Sequence, residues 1–172
     1  MQIKPKIKNQ VIKQERIATL EFKSIKTYNI SHKKTALIYC ENQFGRVDGK
    51  TAAALVRHSE IYTIVGVIDS SLTGKDASGE LGEEKSGIPI FASLDDALRK
   101  LDCRPDFYIY GKAPLETYIP NNERLMILEA MENGMDIISG LHQFFSEDAE
   151  FAQVATLNDI IIKDFRKPPP LK

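Results

Sequence analysis

Cysteine is scarce: Cys40 and Cys103 are the only two in 172 residues. Two cysteines make no disulfide framework, and both fall where a strand ends or is approached, so a reducing cytoplasm is the expected setting. Long apolar runs are missing as well. None approaches the roughly 18 residues of a membrane span, and the lysine-rich N-terminus has no apolar signal core, so no membrane partner is expected. No set of His, Cys and Asp has metal-ligand spacing, and no metal is expected. What remains is the profile of one soluble domain with a full core, with 42% apolar and 27% charged residues.

The net charge of −1 conceals two unlike parts. Residues 1–34 hold nine Lys or Arg against two Glu, net +7, whereas the rest holds 14 bases against 22 acids, net −8. The lysines of the first part alternate with Ile, Leu and Phe and form no block, which argues against nucleic acid as a partner. Residues 1–34 are expected to be a basic arm, holding a strand or hairpin, that packs on its own acidic body or on a second subunit.

The stretch from Thr35 to Ser70 reads as strand, glycine-bearing loop, helix, strand. Thr35 to Cys40 is apolar and of strand length, Thr51 to His58 is alanine-rich, and Thr63 to Asp69 is a β-branched run ending in a carboxylate. The loop, G-R-V-D-G-K-T, matches two known patterns only in part. A P-loop needs four residues between its first glycine and G-K-[S/T], and this loop has three. A dinucleotide fingerprint needs three glycines, and this loop has two. What survives is a set of Gly45, Arg46, Gly49, Lys50 and Thr51 at a helix start, where aligned peptide dipoles favour an anion such as phosphate. Asp69 follows at about the separation where such units place an acid on a ribose hydroxyl. Asp48 shares the turn and would repel a phosphate unless it points away. The alternative is a tight strand-to-helix connection with charged decoration.

Further on, Ser70 to Ser86 reads as a long surface loop and G-I-P-I-F as a short strand. A helix capped by Ser93 leads to the strand Asp106 to Tyr110. A helix capped by Asn121 or Asn122 closes at Gly134, M-D-I-I-S-G is a strand, and a helix capped by Ser146 precedes the strand I-I-I-K-D-F. R-K-P-P-P-L-K cannot continue a sheet, so residues 167–172 are expected to be an exit linker. This alternation over residues 35–166 predicts an α/β fold: a doubly wound, mostly parallel sheet between two helical layers. In such sheets ligands bind outside the carboxyl ends of the strands. That rim adds Ser70, Gly111, Lys112, Gly140 and His142 to the candidates. Lys112 is either a phosphate partner or a solvated loop lysine. His142 is either a phosphate donor or general base, or a histidine satisfied by backbone. Cys40 has no activating base nearby in sequence, and no catalytic residue is assigned.

The motifs G-K-T-A-A-A-L-V-R-H-S, V-G-V-I-D-S, G-I-P-I, G-K-A-P, S-G-L-H and D-F-R-K-P-P, in this order, resemble the N-terminal domain of the D-glutamate N-acetyltransferase-like family, long catalogued as a domain of unknown function. The likeness runs from Thr35 to Pro170. It implies a Rossmann-like domain with acetyl-CoA or a nucleotide as ligand. It also implies a C-terminal P-loop domain that this chain is expected to lack, hence a part of an N-acetyltransferase that is not active alone. The segment from G-I-P-I-F to M-D-I-I-S-G is also similar to the CoA-binding domain of succinyl-CoA ligases. Two other readings stand beside this one: an NAD(P)-dependent oxidoreductase-type domain, and a non-catalytic interaction module. The expected partners are a small-molecule ligand and either a second copy of the chain or a separate P-loop domain.

Overall fold

The computed structural model describes residues 33–113 and 118–168. Residues 1–32 of the expected arm and 169–172 of the expected exit lie outside the described residues. The strands are β1 (Lys34–Tyr39), β2 (Tyr62–Ile68), β3 (Ile90–Phe91), β4 (Phe107–Tyr110), β5 (Asp136–Ser139) and β6 (Ile162–Asp164). The helices between them are α1 (Lys50–His58), α2 (Ala77–Glu80), α3 (Leu94–Lys100), α4 (Asn121–Glu132) and α5 (Ala149–Asn158). All five pairings are parallel, in the order β3-β2-β1-β4-β5-β6. The doubly wound α/β fold expected from the sequence is therefore the fold observed, with its reversal of strand order between β1 and β4.

Side chains alternate across the sheet, and this parity sets the two cores. Leu37, Tyr39, Tyr108, Tyr110 and Ile137 face α3, α4 and α5, meeting Leu94, Ile127, Met131 and Phe151. Ala36, Ile38, Cys40, Ile109 and Ile138 face the other way, with Ala52 of α1 and Ala77 of α2. Strands covered on both faces explain why the sequence shows short continuous apolar runs. Leu37 and Ile38 are each 0% exposed, and burying one such side chain stabilises by about 1.5–3 kcal/mol.

The helix ends divide into local and non-local cases. Ser93 caps α3 as expected, its hydroxyl accepting from Asp96 N at 3.1 Å. Gly134 follows α4 at φ +77, the left-handed position that suits glycine. Two caps differ from expectation. Pro120, not an asparagine, precedes α4 and makes no side-chain cap bond. Asp148, not Ser146, caps α5, accepting from Glu150 N at 3.1 Å and Phe151 N at 3.2 Å. Ser146 lies in a 3-10 turn whose Phe145 and Ser146 N–H groups are held by Asp164 at 3.0 and 2.9 Å, so the chain there is already committed.

The stretch read as a long loop after β2 also has structure: a 3-10 turn at Ser70–Leu72 and the short α2. It runs along the outer edge of β3, with Gly74 N donating to Ile90 O (2.9 Å) and Ile90 N to Lys75 O (3.0 Å). Asp76 locks it by accepting from Gly79 N at 2.9 Å and Gly87 N at 2.8 Å. One open sheet edge is thereby covered. Among the described residues no helix is long and apolar enough to cross a membrane.

Candidate functional site

Beyond β1 the chain doubles back sharply. Gln43 N donates to Cys40 O and Arg46 N to Gln43 O, each at 3.0 Å, with Asn42 and Gly45 left-handed at φ 57 and 75. Phe44 turns inward and is 3% exposed. Gly49 is needed for close approach, because a Cβ there would drive into the Gln43 carbonyl and stand 3.0 Å from Cys40 Sγ. Burial pushes the Cys40 thiol up to about 12, with the Asp69 charge adding to it, so Cys40 is inert packing.

Asp69 stands at the end of β2 where the spacing put it, but it is 0% exposed. Oδ2 accepts from Phe44 N at 3.1 Å, and Oδ1 from Ser71 N at 3.1 Å and Ser71 Oγ at 2.6 Å. Its carboxylate faces inward and ties the β1–α1 loop to β2; it is not presented to a ribose at the surface. Ser70 is exposed, and its N–H and hydroxyl are both gripped by Glu41, the N–H at 2.9 Å.

The chain leaving β4 crosses the start of α1. Gly111 N donates to Tyr39 O at 2.8 Å, Ala52 N to Gly111 O at 3.1 Å, and Ala113 N to Asp48 O at 2.8 Å. A Cβ on Gly111 would stand 2.6 Å from Ile38 Cγ2 and 3.1 Å from Ala52 Cβ, so only glycine permits this approach. One first-turn N–H of α1 that could hold a pyrophosphate is thereby used by the protein itself.

Lys112 turns toward α4, where Nζ is 2.6 Å from Glu123 Oε1; the two side chains are 15% and 5% exposed. The Tyr110 hydroxyl donates to the other carboxylate oxygen, Oε2. The Tyr39 ring stacks among Tyr108 and Tyr110 at 6.0 and 5.6 Å between centroids, with Lys112 Nζ 5.9 Å from its centre. Tyr108 Oη is buried and has no hydrogen-bond partner, at a cost of about 1–3 kcal/mol. Sequence reading missed Glu123, which looks like an acid placed in a first turn for the helix dipole. The available signal was the company of Tyr110 and Lys112: polar ends on a buried strand terminus require a partner.

A groove of about 560 Å³ lies along the flank of α1, and Gly45, Arg46, Lys50, Arg57, His58 and Glu80 are among the residues that line it. Arg57 is engaged, 2.5 Å from Glu83 Oε1 and 3.2 Å from Leu81 O. Glu80 is paired with Lys75 at 3.1 Å. Arg46 and Lys50 are exposed and have no acidic partner among the described residues. Asp48 does not line this groove. Thr51 is exposed in the first turn of α1.

The remaining candidates lie past β5. Gly140 has open space around its Cβ position. His142 is exposed, its Nε2 2.5 Å from Nη1 of Arg166 beyond β6. The structure thus brings Gly45, Arg46 and Lys50 together in one groove, and Gly111 to the α1 start. It pairs Lys112 with Glu123 and His142 with Arg166. No group of three or more His, Cys, Asp or Glu among the described residues is placed to hold a metal ion.

Comparison with known proteins agrees with this architecture. A crystal structure of a DUF1611 family protein from Anabaena variabilis superposes with a TM-score of 0.71 at 28% identity, over 80% of this chain and 38% of that one. A homoserine dehydrogenase from Thiobacillus denitrificans superposes at 0.51 with 16% identity, over 76% of this chain and 29% of that one, a likeness of fold alone. The chain therefore spans well under half the length of either. No curated protein matches it. Residues 70–168, more than half the chain, match the family described as "Domain of unknown function (DUF1611_N) Rossmann-like domain", and the chain belongs to that family.

Proposed function

We propose that this Rossmann-like domain binds a phosphate-bearing small molecule of the nucleotide or CoA type, held by Arg46 and Lys50 beside α1. The observation that carries the reading is a pair of cations with no acid opposite them, in a groove whose one lining carboxylate, Glu80, is already matched by Lys75. Guanidinium and ammonium groups in a concave, unneutralised setting favour phosphate oxygens. Gly45 at φ 75 lets the loop bring both cations to the same side. In this reading Asp69 acts through the loop it pins.

Acetyl-CoA is the first ligand to try, because of the resemblance to the D-glutamate N-acetyltransferase-like family. Acyl transfer, if this domain takes part in it, is proposed as the work of an assembly that includes a second copy or a P-loop domain, as the same resemblance implies. Titration calorimetry with acetyl-CoA, CoA, ATP and NAD on the full chain tests the proposal. At least one phosphate-bearing ligand should bind, and the double variant Arg46→Ala, Lys50→Ala should weaken it at least tenfold with the melting temperature unchanged. NAD alone binding would favour the oxidoreductase reading. Heat from none of them, or affinity indifferent to both cations, would overturn it.

A further inference from the structure

The groove leaves the other side of the sheet unexplained. On the face toward α4, Tyr39 and Tyr110 at the carboxyl ends of β1 and β4, Tyr108 two residues further in, Lys112 and Glu123 form one polar cluster within an otherwise apolar core. Its inventory is unbalanced. Glu123 supplies the one carboxylate, and each of its oxygens is already bonded, one to Lys112 and one to Tyr110. Tyr108 Oη is the one buried side-chain polar atom among the described residues with no partner. The Tyr39 hydroxyl, on a residue 3% exposed, has no hydrogen bond to the described residues and keeps contact with solvent, which gives the cluster its way in. Burial holds the Tyr39 and Tyr108 phenols well above their ordinary range, with Glu123 adding to it, so both remain protonated donors.

Buried polar atoms in native proteins are satisfied, and an orphan calls for something absent from the polypeptide. Donors are in excess, so the missing group is an acceptor. Charge is already matched, one ammonium against one carboxylate, so a second anion would enter a low-dielectric site without a counter-ion. The cluster also lies at the reversal of strand order, where doubly wound sheets take their ligands. We propose that this cluster is a binding site for a neutral carbonyl oxygen, as in an amide, ester or thioester, received by the Tyr39 and Tyr108 hydroxyls beside Lys112. The inference is independent of the phosphate-binding reading, since the groove and the cluster lie on opposite faces of the sheet.

The test uses two phosphate-free probes on the full chain with ¹³C-labelled tyrosine. Acetamide supplies the smallest amide carbonyl, and acetate is its charged counterpart. The six tyrosine signals are assigned by single Phe variants. Acetamide should shift the Tyr39 and Tyr108 ring signals saturably, and acetate should bind at least tenfold more weakly. Tyr39→Phe and Tyr108→Phe should each weaken acetamide at least fivefold while backbone amide spectra stay superimposable. Should Tyr108→Phe not fold, Tyr39→Phe decides alone. No acetamide response means the cluster holds water only and overturns the proposal. Equal affinity for acetate, or acetamide binding untouched by loss of the hydroxyls, also overturns it.

Discussion

The Lys112–Glu123 pair should behave as one energetic unit, and a double-mutant cycle measures this. Leucine at Glu123 removes the carboxylate from a residue 4% exposed and leaves the Lys112 ammonium, 15% exposed, without its counter-ion. Breaking a buried pair from one side costs about 3–5 kcal/mol. Lys112 keeps some access to water along its stem, which places the cost near the lower end, about 3 kcal/mol. Lys112→Met leaves the carboxylate with the Tyr110 hydroxyl alone and should cost about as much. The double variant Lys112→Met, Glu123→Leu removes both charges and leaves only the Tyr110 hydroxyl unpaired, a cost of about 1–2 kcal/mol. The coupling free energy, the sum of the single costs less the double, should therefore be about 4–5 kcal/mol. Urea unfolding followed by circular dichroism supplies the four stabilities, and each single variant should melt roughly 6–12 °C lower, about 2–4 °C per kcal/mol for a chain of this size. If the single costs simply add, or each falls below about 1 kcal/mol, the contact is a solvated surface pair and the cluster loses its anchor.

Two further outcomes follow from named contacts. Gly49→Ala should destabilise by about 3 kcal/mol or more, because its Cβ meets the Gln43 backbone, which cannot move without reopening the turn. Gly45→Ala should cost only about 1–2 kcal/mol, the left-handed penalty at φ 75, since nothing lies closer than 3.8 Å to its Cβ position; equal costs in thermal melts would refute the close-approach account. Asp148, held below the usual carboxylate range chiefly by its bond to Arg124, contributes stability above its unfolded value near pH 3.9. That contribution is lost as pH falls through the lower folded value. The cost of Asp148→Asn should therefore be present at pH 7 and shrink as the pH falls below the unfolded value, whereas a pH-independent cost would show the cap bonds matter and the charge does not.

The fold was legible because its signals are local. β2, β4 and β5 are short apolar runs closed by Asp69, Gly111 and Gly140, and each core helix carries its own periodicity, so element order follows from the chain without long-range information. The misplaced helix start at Ser146 shows where this stops. Ser146 is a good cap by composition, yet its N–H is held by Asp164, 18 residues on and from β6. A tertiary bond thus moved the true cap to Asp148, whose oxygens also face Arg124 of α4 at 2.7 and 2.9 Å. Propensity identifies residues able to cap; packing decides which of them does.

The rim was legible in position but not in direction. Parity along each strand accounts for most of the difference, since successive side chains leave on opposite faces. Tyr39 points toward α4 and Cys40 toward α1; Tyr110 follows Tyr39, and Gly111 lies against Ile38 and Ala52 on the Cys40 side. The residues at strand ends therefore divide into a cationic groove on one face and a phenol-rich cluster on the other. Asp69 shows the second limit. Its place at the end of β2 follows from spacing, but its orientation depends on the Phe44 N–H, 25 residues earlier, which no pattern within β2 reveals. A carboxylate at a strand terminus has two destinations, a ligand outside or the protein's own unpaired N–H groups within. Here the sharp turn after β1 leaves Phe44 N–H needing an acceptor in the interior, and the acid closest to it turns inward.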